Sequence, residues 1–142
     1  MAGKNHTLTY CSVLFLAFLA FMISPFGTSA IVFALPIDEA IKIKEQGDRY
    51  ARESNYVKAA EFYAKALSTP DAFSNYDRLD MAKVLAWAGN FDLSQRELKA
   101  LLDKDPGFIK ARVQLGRVLF WQEDMDEALT QADEALRQKP TD

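Results

Sequence analysis

From Ile37 onward, apolar residues recur every three or four positions, which is the spacing of an amphipathic helix, and short polar turns interrupt them. The pattern predicts helices over Ile37 to Arg52, Tyr56 to Ser68, Asn75 to Ala88, Phe91 to Lys104, Ile109 to Gln122 and Met125 to Gln138. Prolines follow the second and fourth of these helices, and proline cannot continue a helical hydrogen-bond ladder. No run alternates with period two for long enough to predict a strand. We therefore expect an all-α fold of three helical hairpins.

The second and third hairpins repeat one pattern with a constant offset along the chain. Positions 82–92 read AKVLAWAGNFD and positions 116–126 read GRVLFWQEDMD, so that Trp87 returns as Trp121. The offset between the first and second hairpins is longer by one, which places one inserted residue near positions 70–74. A period of about 34 residues indicates a stack of like units rather than an enzyme fold with a single core.

The segment at positions 1–34 has a different character and is predicted to be a secretory signal peptide. A weakly basic start precedes an unbroken apolar run at positions 13–23, and Pro25 and Gly27 then interrupt it. This run is shorter than the roughly 20 residues of a membrane-spanning helix. We expect cleavage after Ala30 or Ala34 and a location in the bacterial periplasm. The alternative is an uncleaved anchor that holds the chain on the inner membrane, facing the periplasm.

The composition disfavours catalysis and nucleic-acid binding. The only histidine, His6, and the only cysteine, Cys11, lie in the predicted signal, so the remaining chain lacks an imidazole base and a thiolate. The scattered glycines form no phosphate-binding loop. Carboxylates cluster at positions 123–127, but acidic residues in a first helical turn are favoured by the helix dipole. The net charge of −3 gives no electrostatic attraction for nucleic acid. From these observations together, we expect no enzyme activity, no cofactor, no metal and no nucleic-acid partner.

The repeat resembles the tetratricopeptide repeat (TPR), a helix-turn-helix unit of about 34 residues. The matching residues are Gly47, Tyr50, Ala59, Tyr63 and Ala66 in the unit at 40–73, Leu85, Gly89, Phe91 and Pro106 in the unit at 75–108, and Leu115, Gly116, Ala128, Ala135 and Pro140 in the unit at 109–142. The resemblance implies three hairpins stacked as a short right-handed superhelical solenoid.

Small residues are predicted where the two helices of a hairpin cross, because only small side chains permit close approach. These residues are Gly47 and Ala59 in the first hairpin, and Gly116 and Ala128 in the third. Large residues should fill the gaps around the crossings: Tyr50, Tyr63, Leu85, Phe91, Leu119 and Met125. Stacking of the hairpins then supplies the core.

In TPR proteins the first helix of each unit lines a concave groove that binds a ligand. The resemblance places in this groove Lys44, Asp48, Arg52, Tyr76, Lys83, Trp87, Lys110, Val113, Arg117 and Trp121. A basic and aromatic groove suits an extended peptide, an acidic segment or a sugar chain that stacks on indole faces. On the alternative interpretation, the two tryptophans only seal the contact between neighbouring hairpins.

Some TPR proteins hold a chaperone tail with a two-carboxylate clamp of lysine, asparagine and arginine. Lys44 matches one member of that clamp, whereas Asp48 and Lys83 stand in place of asparagines and Gln114 in place of an arginine. These differences argue against a chaperone tail as the ligand.

The resemblance implies an adaptor that binds a protein or peptide, with a glycan as the other ligand class, and the predicted signal peptide implies that this adaptor is exported. Positions 85–89, LAWAG, and the repeated Trp121 are also similar to periplasmic TPR regions of bacterial exopolysaccharide-secretion proteins. The alternative function is therefore a scaffold component of a cell-envelope assembly or polysaccharide-secretion system. In the last helix, Leu129 and Leu136 are expected to stay partly bare, which predicts weak self-association or docking through this helix.

Expression of the whole chain in a bacterium tests the export prediction. We expect the protein outside the cytoplasm with its N-terminus near Ile31 or Leu35, and the intact mass of the fractionated protein measures this. A full-length product in the membrane fraction would favour the anchor.

Overall fold

The structure is a computed structural model, and it describes residues 35–138. Its helices are α1 (Ile37–Arg52), α2 (Tyr56–Ala66), α3 (Asn75–Trp87), α4 (Phe91–Lys104), α5 (Ile109–Trp121) and α6 (Met125–Gln138). Consecutive helices pair as hairpins, which stack in chain order, and no strand occurs in residues 35–138. The predicted all-α fold of three stacked hairpins is confirmed. The predicted signal peptide and its cleavage positions lie outside the described residues.

The helices begin and end where the local chemistry of the chain favours it. Ser74 and Asp77 form a capping box before α3: the Ser74 hydroxyl accepts from the Asp77 amide at 3.1 Å, and the Asp77 carboxylate accepts from the Ser74 amide. The turn inside each hairpin contains one residue with positive φ, and these residues are Ser54, Gly89 and Glu123. Only the middle turn has a glycine, which adopts this conformation without steric cost.

The helices of the first hairpin cross as closely as the small residues predict. A Cβ atom built on Gly47 would lie 2.5 Å from the ring of Tyr63 and 3.3 Å from the carbonyl oxygen of Ala59. Tyr63 cannot easily move aside, because its ring is buried and its hydroxyl donates to Asp48 at 2.7 Å. At the corresponding position of the third hairpin, Gly116 leaves ordinary contact distances of 3.5 Å and more. The third crossing is therefore looser than the first.

The core forms two apolar clusters, one at each junction between hairpins. The first cluster joins α2 to α3 and contains Ala59, Ala60, Tyr63, Leu67, Met81, Val84 and Leu85. The second joins the α3–α4 hairpin to the third hairpin and contains Leu79, Ala82, Ala86, Leu98, Leu101, Phe108, Ala111, Leu115, Val118, Leu119 and Ala128. Stacking of the hairpins thus buries most of the apolar surface, as expected for a repeat architecture.

The six large residues expected around the crossings differ in burial. Tyr63, Leu85 and Leu119 are buried, and Tyr50 and Phe91 are half-buried. Met125 departs from the prediction because its side chain is 45% exposed. The described residues place no further hairpin against this side of α6, so the methionine lies at the edge of the stack.

A buried ion pair, which the sequence pattern did not predict, joins α3 to α4. The Arg78 Nε atom donates to the Glu97 carboxylate at 3.1 Å, and the Glu97 side chain is only 6% exposed. In the third hairpin the corresponding residues, one repeat further on, are Arg112 and Gln131, which hydrogen-bond at 2.9 Å. The same position between two helices is therefore occupied by a charged pair in one hairpin and by an arginine–amide pair in the next.

Substitution of the two glycines by alanine should have opposite effects on stability. Gly47→Ala should lower the free energy of unfolding by about 1–2 kcal/mol, because overpacking costs more than the roughly 1 kcal/mol that alanine adds to a helix. Gly116→Ala should leave it unchanged or raise it by up to about 1 kcal/mol. Urea denaturation of both variants measures the difference. Equal stabilities would show that the first crossing is not tight.

Removal of Glu97 should be costly because it leaves the Arg78 guanidinium buried without its carboxylate. Glu97→Ala should lower the free energy of unfolding by about 3 kcal/mol, whereas Glu97→Gln should cost less because an amide partner is retained. Glu61→Ala, which removes an exposed carboxylate, is the matched control and should stay within about 0.5 kcal/mol of the parent. A Glu97→Ala protein as stable as the control would contradict this account.

Candidate functional site

Stacking brings the three first helices, α1, α3 and α5, next to one another. Lys44 Nζ on α1 lies 3.6 Å from the Asp77 carboxylate on α3. Lys110 Nζ on α5 lies 5.3 Å from the ring centroid of Tyr76 on α3. These contacts link Lys44, Tyr76 and Lys110 to neighbouring first helices. The predicted groove residues as a whole do not form one uniform surface, because the structure groups them into distinct regions.

The first region is a network of charges around Lys44 that is already satisfied. Lys44 Nζ lies 3.0 Å from the Asp48 carboxylate in addition to its contact with Asp77, and Asp48 also accepts from the Tyr63 hydroxyl. Burial of the ring, together with the hydrogen bond to Asp48, raises the pKa of Tyr63. The hydrogen bond from the Ser74 hydroxyl, together with the charge of Lys44, lowers the pKa of Asp77. One lysine thus faces two carboxylates, and the region is not basic.

The second region is a cation beside two aromatic rings that meet edge to face. Tyr76 is 61% exposed, and its ring meets the edge of Phe108 with centroids 5.2 Å apart. Lys110 approaches the same tyrosine from α5 at a distance typical of a cation–π contact. This region keeps an exposed phenol and an exposed ammonium group within reach of a ligand.

The third region, which we call the aromatic groove, is an open cavity of about 620 Å³ lined by Tyr56, Ala86, Trp87, Phe91 and Trp121. The rings of Tyr56 and Trp87 have centroids 5.2 Å apart, and those of Phe91 and Trp121 are 6.2 Å apart. Each tryptophan thus packs on the residue that begins the second helix of the preceding hairpin. Trp87 nevertheless remains 53% exposed and Trp121 42% exposed. The indoles contact the neighbouring hairpin and also present a free surface.

The remaining predicted residues lie outside these regions or have partners of their own. Lys83 is paired with Asp80 at 2.8 Å. Arg52 lies at the end of α1, in the position that Trp87 holds in the next hairpin. Arg117 and Val113 line the outer face of the third hairpin, where Trp121 also contributes. The basic character expected from the sequence is therefore reduced by ion pairs and spread over separate surfaces.

Tyr56 and Phe91 are candidate site residues that the sequence analysis did not place in the groove. Both occupy the first position of a second helix, one repeat apart, directly after the turn of their hairpin. That recurrence of an aromatic residue was the available signal. The TPR resemblance places only first helices in the groove, whereas the turn brings the start of the second helix to the same rim.

Within residues 35–138 the structure contains neither a metal site nor a membrane-spanning helix. No group of three or more histidine, cysteine, aspartate or glutamate side chains in that range is arranged to hold a metal ion. No helix of the described part of the chain has the length and apolar character needed to cross a bilayer.

Comparison with known proteins identifies the fold. Residues 85–142 match the tetratricopeptide repeat family. The first TPR of Spaghetti (RPAP3), solved bound to the HSP90 peptide SRMEEVD, is 18% identical with a TM-score of 0.60, over 78% of this chain and 86% of that chain. The second TPR of the same protein, bound to the same peptide, is 17% identical with a TM-score of 0.58, over 72% and 94%.

The Arabidopsis OM64 TPR domain is 19% identical with a TM-score of 0.59, over 75% of this chain and 87% of that chain. No curated protein matches the chain by sequence. Together with the stacked hairpins, these similarities define the fold as that of a TPR domain.

Proposed function

We propose that this protein is an exported adaptor that binds an extended segment of another protein, with the aromatic groove as the principal contact. The observation that carries the proposal is the pair of half-exposed indoles, Trp87 and Trp121, held on neighbouring rings around an open cavity. Large aromatic side chains that are rigidly supported and still accessible are the residues most enriched at binding hot spots. Export rests on the apolar run at positions 13–23 and the helix-breaking residues after it.

The fold supports a peptide as the ligand. Two of the similar structures, both TPR domains of Spaghetti, contain a peptide of HSP90. A stack of hairpins presents a long surface without a deep pocket, and such a surface suits an extended chain. Residues 35–138 also contain no histidine or cysteine, the side chains that most often provide a base or a nucleophile.

The charges around Lys44 argue against a ligand with an acidic tail at that end of the groove. Lys44 is engaged by Asp48 and Asp77, and the Tyr63 hydroxyl holds Asp48 in place. An incoming carboxylate would therefore meet two carboxylates as well as the ammonium group. We infer that the partner instead contributes an aromatic or large aliphatic side chain, which the aromatic groove can stack against and bury.

A glycan ligand, as part of a cell-envelope or polysaccharide-secretion scaffold, is the second candidate. The observation that favours it is the same pair of accessible indole faces, since the apolar face of a sugar ring stacks on tryptophan much as an aromatic ring does. The two candidates differ in the use they make of Lys110, the cation beside Tyr76. Its ammonium group can form an ion pair with a carboxylate of a peptide, whereas a neutral sugar has no charge for it to pair with.

The intrinsic fluorescence of the protein tests both candidates, because Trp87 and Trp121 are its only two tryptophans. Peptides selected from a random display library should shift the emission, and Trp87→Ala or Trp121→Ala should each weaken their binding by at least about tenfold. The matched control is Phe120→Ala, which removes an aromatic side chain that is 57% exposed and lies next to Trp121 in the sequence but outside the aromatic groove. Circular dichroism verifies that each variant remains helical.

Three results would decide against the peptide. Selected peptides that bind both tryptophan variants like the parent would place the site elsewhere. Unfolding of both tryptophan variants would make the indoles core residues of the stack. A shift of the emission by neutral oligosaccharides but by none of the selected peptides would favour the glycan.

A further inference from the structure

The outer side of the third hairpin carries a second apolar surface, which we call the C-terminal face. It surrounds a groove of about 600 Å³ between α5 and α6. Its large side chains are between 41% and 64% exposed, and they are Val113, Phe120, Trp121, Met125, Leu129 and Leu136. So many large apolar side chains on one face are unusual on the surface of a monomer and mark an interaction site.

Comparison with the preceding repeat indicates that part of this face is suited to packing against a helix. Val113, Met125 and Leu136 each stand one repeat after a member of the second hairpin, namely Leu79, Phe91 and Leu102. Leu79 belongs to the core beneath the third hairpin, and Phe91 and Leu102 pack against that core. At Val113, Met125 and Leu136, the C-terminal face therefore corresponds to the surface that stacking buries one hairpin earlier, here without a covering helix among the described residues.

The helix that covers the earlier surface has a defined pattern. Phe108, Ala111, Leu115 and Leu119, at the start of α5 and along it, belong to the buried cluster, and they recur at intervals of three or four positions. The exposed side of α6 offers the same spacing with Met125, Leu129, Ala132 and Leu136. A second copy of this chain thus carries a helix of the kind that this face accepts.

The other end of the stack does not fit the C-terminal face. The outer side of α1 bears Lys42, Glu45, Gln46 and Arg49, in the positions that Ala111, Gln114, Leu115 and Val118 hold in α5. Burial of a lysine and an arginine against apolar side chains is unfavourable without partners. Head-to-tail stacking of copies is therefore disfavoured, and symmetric pairing of two identical C-terminal faces is left.

We propose that the C-terminal face binds the same face of a second copy, so that α6 of each chain lies in the groove of the other around a two-fold axis. The charges at the border suit this arrangement. Among the described residues that line the groove, Arg117 is the only charged one, while Asp126, Asp133 and Arg137 stand beside the apolar stripe of α6, with Arg137 paired to Glu134. A second copy therefore brings acidic groups to a face that offers a basic one.

The size of the face predicts that the dimer is weak. Eleven residues line the groove, whereas a standard stable interface uses about 20–30 residues on each side. The alanines of α6 also bury less area than the leucines and valine of α5. We expect a monomer at low concentration and a dimer that becomes populated as the concentration rises.

Analytical ultracentrifugation of the full chain, from about 10 µM to about 1 mM, measures this equilibrium. The weight-average mass should rise towards twice the chain mass of 16.0 kDa, or of the processed chain if the signal is removed. Leu129→Glu should weaken dimerisation by at least about tenfold, since it places a charge in the apolar contact. Val57→Glu is the matched control, because Val57 is 63% exposed on α2 and Leu129 is 64% exposed on α6.

Leu129→Glu and Val57→Glu both retain the N-terminal apolar run, so any association through that run would be the same in both variants. A strictly monomeric parent would overturn the proposal, as would equal dimerisation of Leu129→Glu and Val57→Glu. Species that grow beyond the dimer with concentration would indicate head-to-tail stacking and would also overturn it. Circular dichroism establishes that the variants are folded, and Ala132→Glu, at another exposed position of the stripe, should repeat the result of Leu129→Glu.

The two-fold arrangement has a test of its own. In a Cys11→Ser background, Ala132→Cys should form a disulfide-linked dimer under mild oxidation, because the two α6 helices would face each other, whereas Val57→Cys should not. An Ala132→Cys protein that dimerises by sedimentation without forming this disulfide would refute pairing through α6.

A peptide of residues 108–121, which includes the helix that covers the corresponding face of the second hairpin, probes the alternative occupant. If this peptide binds a monomeric parent and Leu129→Glu abolishes the binding, the face accepts a helix of another protein, and self-pairing is wrong.

Discussion

The burial of one hairpin's outer face beneath the first helix of the next is the contact on which this structure depends. Leu79, Leu98 and Leu101 are almost fully buried, and they share one apolar cluster with Phe108 and Leu115 of the third hairpin. A single hairpin would expose that surface, and fully burying one such side chain contributes about 1.5–3 kcal/mol. The groove is a result of the same contact, since stacking is what places the first helices side by side.

The sequence predicted the architecture closely because periodicity and turn residues determine it locally. The bounds of α1, α4 and α6 agree with the prediction, and the other three helices end one or two positions earlier. The apolar pattern continues into residues such as Ser68 and Gln122, which already belong to turns. The tight crossing at Gly47 was also predictable, because a glycine opposite an alanine at this spacing has a direct steric meaning.

The interactions between hairpins were not predictable in the same way. Lys44 and Asp77 belong to different hairpins and meet only because of the rotation between the first two units. Helical periodicity tells which residues share a face of one helix, but it does not fix that rotation. For the same reason, counting the basic residues of the groove overestimates its positive charge, because acidic partners of Lys44 and Lys83 are not included in the count. The aromatic pairs depend on the same geometry, and so the sequence left open whether the tryptophans were buried or exposed.

One pair of corresponding residues, one on each helix of a hairpin, differs in chemical type among the three hairpins. This difference can prevent the repeated units from pairing wrongly during folding. The pair is Ile43 and Phe62 in the first hairpin, Arg78 and Glu97 in the second, and Arg112 and Gln131 in the third. Repeated units can pair with the wrong neighbour during folding, because their apolar patterns are alike. If α3 paired with α2 as the two helices of one hairpin, Arg78 would lie against Phe62, and a guanidinium would be buried without a carboxylate. The differences at these positions therefore favour the native pairing of helices over wrong pairings, even though the three units have the same backbone fold.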